Sequence, residues 1–358
     1  MERRMERREE MAMRRTGMIL LCLLLAVPAM AGTLLVANKA DATLSFIDET
    51  SGETVATVPT GAGPHEVAVS PDGKTAVVAD YGANSAGKTL TVIDVAGAKV
   101  VRTLELGRFT RPHGLVFLDA DTLAVTTEGA GALTLVDVEA GEVTGHDETG
   151  QRVSHMVAVP ASGERAYVAN IGSDSITVID LAPGEAAGKK VADVATGAGA
   201  EGIAVSRDGS QVWVTNREDD DVVLVDPKSL EVVARLEAGS FPIRAELTPD
   251  QRWLLVTNAR GGSLTVIDTE KREVERTLDL GQGASDVEGR LFGDRFGDSS
   301  VPIGIEIAPD GKTAWIAHAN ADVVQTLDIT TWKPTGVLKT GKEPDGMAYS
   351  PVAVSRGK

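Results

Sequence analysis

Four of the chain's five histidines fall at matching points of a recurring pattern. His65, His113 and His155 each stand one residue into a short apolar run, PHEVAV, PHGLVF and SHMVAV. Glu201 takes that place in AEGIAV, and Asp345 takes it in PDGMAY. His318 instead closes a run, TAWIAH. Imidazoles and carboxylates that converge can hold a divalent cation, because both offer lone pairs to borderline metals. They can equally ligate or cradle a flat cofactor. The expected metal ligands are His65, His113, His155 and Glu201. The expected cofactor contacts are His65, His113, His155, His318 and Arg244. His146 stands outside the pattern. Asp219, Asp220 and Asp221 read as a solvated loop tip.

A constellation spread over so much chain needs elements that gather it. One phrase recurs: an apolar strand, a short polar loop, then an alternating strand ending in Asp. The copies include LLVANKADATLSFID, AYVANIGSDSITVID, VWVTNREDDDVVLVD and LLVTNARGGSLTVID. The closing aspartates are Asp48, Asp94, Asp137, Asp180, Asp226, Asp268 and Asp328, spaced by 46, 43, 43, 46, 42 and 60 residues. Each unit carries four β-rich runs punctuated by Gly, Pro, Asp and Asn. Four strands in just over forty residues, seven times over, describe an all-β, seven-bladed propeller. The pattern starts on a second strand and finishes on a first strand. The C-terminal strand should therefore complete the N-terminal blade, close the ring and leave a monomer without open sheet edges.

Register then sorts residues by face. The position that opens the inner strand reads His65, His113, His155, Glu201, Ile243, Ile303 and Asp345. The next reads Glu66, Gly114, Met156, Gly202, Arg244, Gly304 and Gly346. The end of the second strand reads Asn38, Asp80, Thr127, Asn170, Asn216, Asn258 and His318. All three belong to one face. That face also receives an eighteen-residue insertion, 283–300 (GASDVEGRLFGDRFGDSS), with Asp286, Glu288, Asp294, Asp298, Leu291, Phe292 and Phe296. Its length and mixed character suit a lid or a docking loop for a protein partner.

The YVAN, WVTN and LVTN phrases followed by a VID strand resemble the YVTN-repeat propeller family, over nearly the whole chain after residue 31. The resemblance implies the fold. Propellers of this kind host binding, scaffolding and catalysis alike. The repeat is also similar to the haem-binding propeller of periplasmic nitrite reductases, which implies a haem-like redox cofactor as one ligand; no CxxCH motif is present. SHMVAV and GAEGIAV resemble strands of 6-phosphogluconolactonase-type propellers. That likeness implies an alternative, a lactone hydrolase or isomerase with His155 as base, Glu201 as its partner or acid, and Arg244 as anion holder. Ser154 stands where that family has Arg, and Arg244 is one register off. A third reading is a structural or cell-surface interaction protein. The residues favour a binding protein or scaffold that holds a metal, a cofactor or a partner on the histidine face.

Composition sets the surroundings. Arg14 and Arg15, the apolar run Met18–Val27 and Ala29-Met30-Ala31 form a secretory signal over 1–31, which would release the propeller (32–354, with a 355–358 tail) to the periplasm or the medium. Met13 is the expected start of translation. Cys22, the single cysteine, leaves with the signal. The remaining chain has 29 basic and 48 acidic residues, a net charge of −19. So acidic a surface argues against nucleic-acid binding, and no further run is long enough for membrane insertion.

Overall fold

A computed structural model describes residues 32–181, 188–285, 288–290, 292, 293 and 295–355. The expected signal with Cys22, the end of the tail, and Asp286, Leu291 and Asp294 of the insertion lie outside the described residues. Among the described residues, 28 strands form seven antiparallel four-stranded sheets. No helix among them is long and apolar enough to cross a membrane.

Each sheet is one blade. Blade 2 runs outward through Pro64–Val69, Thr75–Gly82, Ala86–Asp94 and Lys99–Glu105. Blades 3 to 7 repeat it, with inner strands Pro112–Phe117, Ser154–Ala158, Ala200–Val205, Pro242–Leu247 and Pro302–Ile307. Blade 1 is composite. The last strand, Pro344–Ser350, pairs antiparallel with the first, Thr33–Asn38, from Thr33↔Ser350 to Asn38↔Pro344. Successive inner strands pack on one another all the way round, the last against those of blades 7 and 2, so the ring is closed.

Burial falls from axis to rim. The second strands are nearly all buried, as in Thr33–Asn38 and Trp253–Asn258. The fourth strands are mostly exposed, as in Lys333–Lys339. One apolar cluster fills each gap between blades: Leu35, Phe46 and Val78 join blades 1 and 2, while Val36, Trp315 and Ala317 join blades 7 and 1. Trp213 and Trp253 serve other gaps, as their places in the repeat suggest. This nonpolar packing between sheets is the main favourable term holding the ring.

The end of each second strand is a latch. In blade 1, the Asn38 amide donates to Thr43 Oγ1 (3.0 Å) and Ser45 Oγ (2.9 Å), and its Oδ1 accepts from the Gly341 N–H (2.9 Å). The side chain thus ties its own third strand to the connection arriving from the previous blade. Asp80 does the same work in blade 2, accepting from Gly61 N–H (2.9 Å) and from Thr89 and Thr91 (2.8 and 2.9 Å).

Candidate functional site

A second repeated device aims the residues that open the inner strands. The residue just before each opening pair is left-handed in every blade: Gly63, Arg111, Val153, Gly199, Phe241, Val301 and Glu343, with φ from 51° to 74°. That kink turns the chain onto the axis, so the following side chain faces the channel mouth. Glycine one position further along decides how closely neighbours meet. A Cβ on Gly114 would lie 2.9 Å from the His155 carbonyl, and one on Gly346 would lie 2.4 Å from the His65 carbonyl. Where Gly114 separates the strands, the His113 and His155 rings are 3.6 Å apart; where Glu66 does, the His65 and His113 rings are 4.4 Å apart.

The result is a cavity of about 350 Å³ at the channel mouth, lined on one side by His65, His113, His155, Glu201 and Asp345, and on the other by Ile243 and Ile303. Arg244 forms part of its wall. The structure thus gathers His65, His113, His155, Glu201 and Arg244 around one space. It does not bring His318 there. That side chain is fully buried in the latch position of blade 7, with Nδ1 2.7 Å from Ser300 Oγ. His146 is on an outer strand beside Arg108.

Sequence reasoning missed a second tier. Lys39, Tyr81, Glu128, Ile171 and Arg217 also line the cavity, and each directly follows the latch residue of its blade (Asn38, Asp80, Thr127, Asn170 and Asn216). Side chains alternate along extended backbone, so the end residue points between blades while its successor points to the axis. Shifting the chosen position by one would have found them. Phe292 and Arg295, from the insertion, complete the lining.

The contacts divide the site into unlike parts. His155 is held between two carboxylates, its Nδ1 donating to Glu128 Oε1 (2.5 Å) and its Nε2 3.3 Å from Glu201 Oε1. Burial lowers its pKa, but Glu128 and Glu201 outweigh burial and raise it above the usual histidine value. Burial likewise works against the Glu201 carboxylate, yet His155, Arg217 and Arg244 bring it down to about 2. Tyr81 donates to the far oxygen of Glu128 at 2.6 Å. His65 meets Asp345 at Nδ1 (2.8 Å, an ion-pair distance without hydrogen-bond alignment) and receives the Lys39 ammonium at Nε2 (2.7 Å). Burial, then Lys39, push His65 down to about 4, so it is neutral with its Nε2 lone pair taken.

His113 is different. It is fully buried, and neither ring nitrogen has a hydrogen-bond partner. Burial and the neighbouring imidazoles hold it well below its ordinary value, so it stays neutral. One donor atom each from His113, Glu128 and His155 lie within 4.8 Å of one another. Two imidazoles and a carboxylate at that separation can close on a single ion.

Beneath the mouth, Arg244 spans the channel to blade 2. Its Nη2 and Nε donate to Glu66 Oε1 (2.6 and 3.1 Å), and its Nη1 lies 3.4 Å from Glu201 Oε1. Arg244 and Glu66 also line a lower cavity of about 600 Å³, with Glu246 and Glu306 among mostly aliphatic walls. Burial raises Glu246 to about 7, and burial together with the charge of Glu246 holds Glu306 well above the usual carboxylate value.

Comparison with solved structures returns the same architecture. A protein of unknown function from Desulfotomaculum acetoxidans has a TM-score of 0.74 at 13% identity, over 89% of this chain and 99% of that one. A candidate 6-phosphogluconolactonase from Bacteroides uniformis has a TM-score of 0.70 at 12% identity, over 89% and 99%. The dihydro-heme d1 dehydrogenase NirN, in complex with DHE, has a TM-score of 0.59 at 15% identity, over 89% and 75%. These likenesses concern the fold. Among curated proteins, none matches. The family model of the YNCE-like β-propellers matches residues 29–123 and 119–291. With seven four-stranded blades around one channel, the chain belongs to the YNCE-like β-propeller family.

Proposed function

We propose that this propeller is a binding protein for a divalent transition-metal cation, held at its channel mouth by His113, Glu128 and His155. The observation that carries the reading is His113, buried with two unpartnered nitrogens beside an imidazole and a carboxylate. A buried polar atom without a partner costs about 1–3 kcal/mol. A bound cation removes that cost at the nitrogen that carries the lone pair. Imidazole and carboxylate donors suit Zn²⁺ and its neighbours better than Ca²⁺ or Mg²⁺, which favour all-oxygen shells. Glu201 and Tyr81 orient His155 and Glu128 from outside, as partners of metal ligands commonly do. The tilted rings, with centroids 4.4 and 3.6 Å apart, leave no slot between them for a planar macrocycle. Phe292 and Arg295 support a covering role for the insertion. The apolar run at Met18–Val27 supports action outside the cytoplasm.

The lactonase reading receives less support. Glu128 and Glu201 raise the pKa of His155, so it keeps its proton rather than taking one from a substrate, whereas a bound cation would displace that proton. Arg244 is occupied by Glu66 and Glu201 rather than open to an anion.

Titration calorimetry with Zn²⁺ on metal-stripped protein tests the proposal. One equivalent should bind, and His113→Ala should weaken binding by more than about a hundredfold while the variant stays folded. Equal binding by the variant, or no binding of Zn²⁺, Co²⁺, Ni²⁺ or Cu²⁺ to the wild type, would sink it.

A further inference from the structure

We infer that His65 is a further ligand of this cation, and that the Lys39 ammonium occupies its donor atom until the cation arrives. The inference rests on the metal reading above. His65 already has the surroundings of a metal ligand. It is buried, its ring lies 4.4 Å from that of His113, and Asp345 approaches Nδ1 at 2.8 Å. Lys39 can only donate, so Nε2 carries the lone pair and Nδ1, facing Asp345, carries the proton. In this protein that lone pair, on Nε2, points at Lys39 Nζ, 2.7 Å away. The group occupying the coordination direction is therefore itself a cation, supplied by the chain.

Lys39 is suited to leave. Its backbone is fixed, with its N–H bonded to the Glu343 carbonyl (2.9 Å), so only the side chain need move. It stands one residue past the Thr33–Asn38 strand and is half-buried beside exposed Ala40. A lysine's four-carbon stem can carry its charge from the cavity to solvent. While in place it offsets the negative charge of Asp345 and Glu128, which would otherwise face a cation-free cavity. Lysine and metal thus compete for one charge environment, and the metal's affinity is set partly by the work of moving Lys39.

The test compares full-length, metal-stripped wild type, Lys39→Met and His65→Ala with Zn²⁺ as the only added ligand. Competition titration should show Lys39→Met binding Zn²⁺ about tenfold tighter or more, since a like charge within a few ångströms is gone. X-ray absorption of the loaded proteins should count three imidazoles in wild type and Lys39→Met, and two in His65→Ala. Unchanged affinity in a folded Lys39→Met, or two imidazoles in the wild type, overturns the inference and leaves the metal reading standing. No Zn²⁺ binding by wild type or Lys39→Met overturns the metal reading itself. Should Lys39→Met not fold, Lys39→Gln takes its place, and the ligand count needs neither variant.

Discussion

Asp80 is a carboxylate doing an amide's work. In blade 1 the latch is Asn38, which donates to two hydroxyls; in blade 2 the same hydroxyl positions, Thr89 and Thr91, donate to Asp80 instead. Burial raises the Asp80 pKa to about 6, partly offset by these hydroxyls and the Gly61 N–H. A carboxyl whose folded pKa lies above its unfolded value of 3.8 binds protons more tightly in the folded state. Its contribution is full below about 4 and is lost as pH rises through about 6. Asp80→Asn should therefore stabilise the protein by about 3 kcal/mol at pH 8 and leave it unchanged at pH 4. Thermal melts at the two pH values read this directly. A variant equally stable at both, or less stable at pH 8, contradicts the account. At this same scale the sequence was only half legible. Histidines repeat visibly at 65, 113 and 155, whereas Glu128 and Lys39 lie one residue beyond the position that register reasoning selects. Their partners are 27 and 26 residues away, so no local spacing announces the pairing.

Among the elements, the left-handed residue ahead of each inner strand is the common part. Two blades use glycine there, which accepts positive φ without strain, but Val153 and Val301 are β-branched at φ 56°. Such a residue pays about 1–2 kcal/mol for the crowding of Cβ against backbone. Val301 is fully buried against Phe241 and Ile303, so a glycine there would lose packing as well. Val153 is 37% exposed and has less to lose. Val153→Gly should raise stability by about 1 kcal/mol in denaturant melts, with any change in Zn²⁺ affinity within about threefold. Destabilisation would show that the side chain's contact with the cavity matters more than its strain. The strands themselves were plain in the sequence, because alternation and Gly/Pro punctuation recur in every unit. These kinks were not, since Arg111, Val153 and Glu343 carry no residue preference for positive φ.

Across the whole molecule, the Arg244–Glu66 pair joins blade 6 to blade 2 through the axis. It lies between the cavity at the channel mouth and the lower cavity, and both side chains are buried. Removing one member strands a charge, which commonly costs about 3–5 kcal/mol. Arg244→Met should accordingly destabilise by that amount, since Glu66 keeps its charge or takes up a proton against its solvent preference. Arg244→Met with Glu66→Met should recover more than half of the loss, measured by chemical denaturation. An equally unstable double variant would place the effect in packing rather than charge. The ring as such was readable from seven copies of one phrase, and so was its closure by the last strand. The tie across the channel was not, because register places Arg244 and Glu66 in one column without saying which long side chain reaches the other.

Ring closure has a consequence in time. Asp345, the partner of His65, is carried by the strand Pro344–Ser350, the last of the described strands. Lys39, which meets the same histidine from the other side, is among the first residues of the fold. The two flanks of one imidazole are therefore separated by nearly the whole propeller sequence. The flanks of His65 come together only when the last strand closes the ring, whereas His113, Glu128 and His155 are gathered by blades 3 and 4 alone.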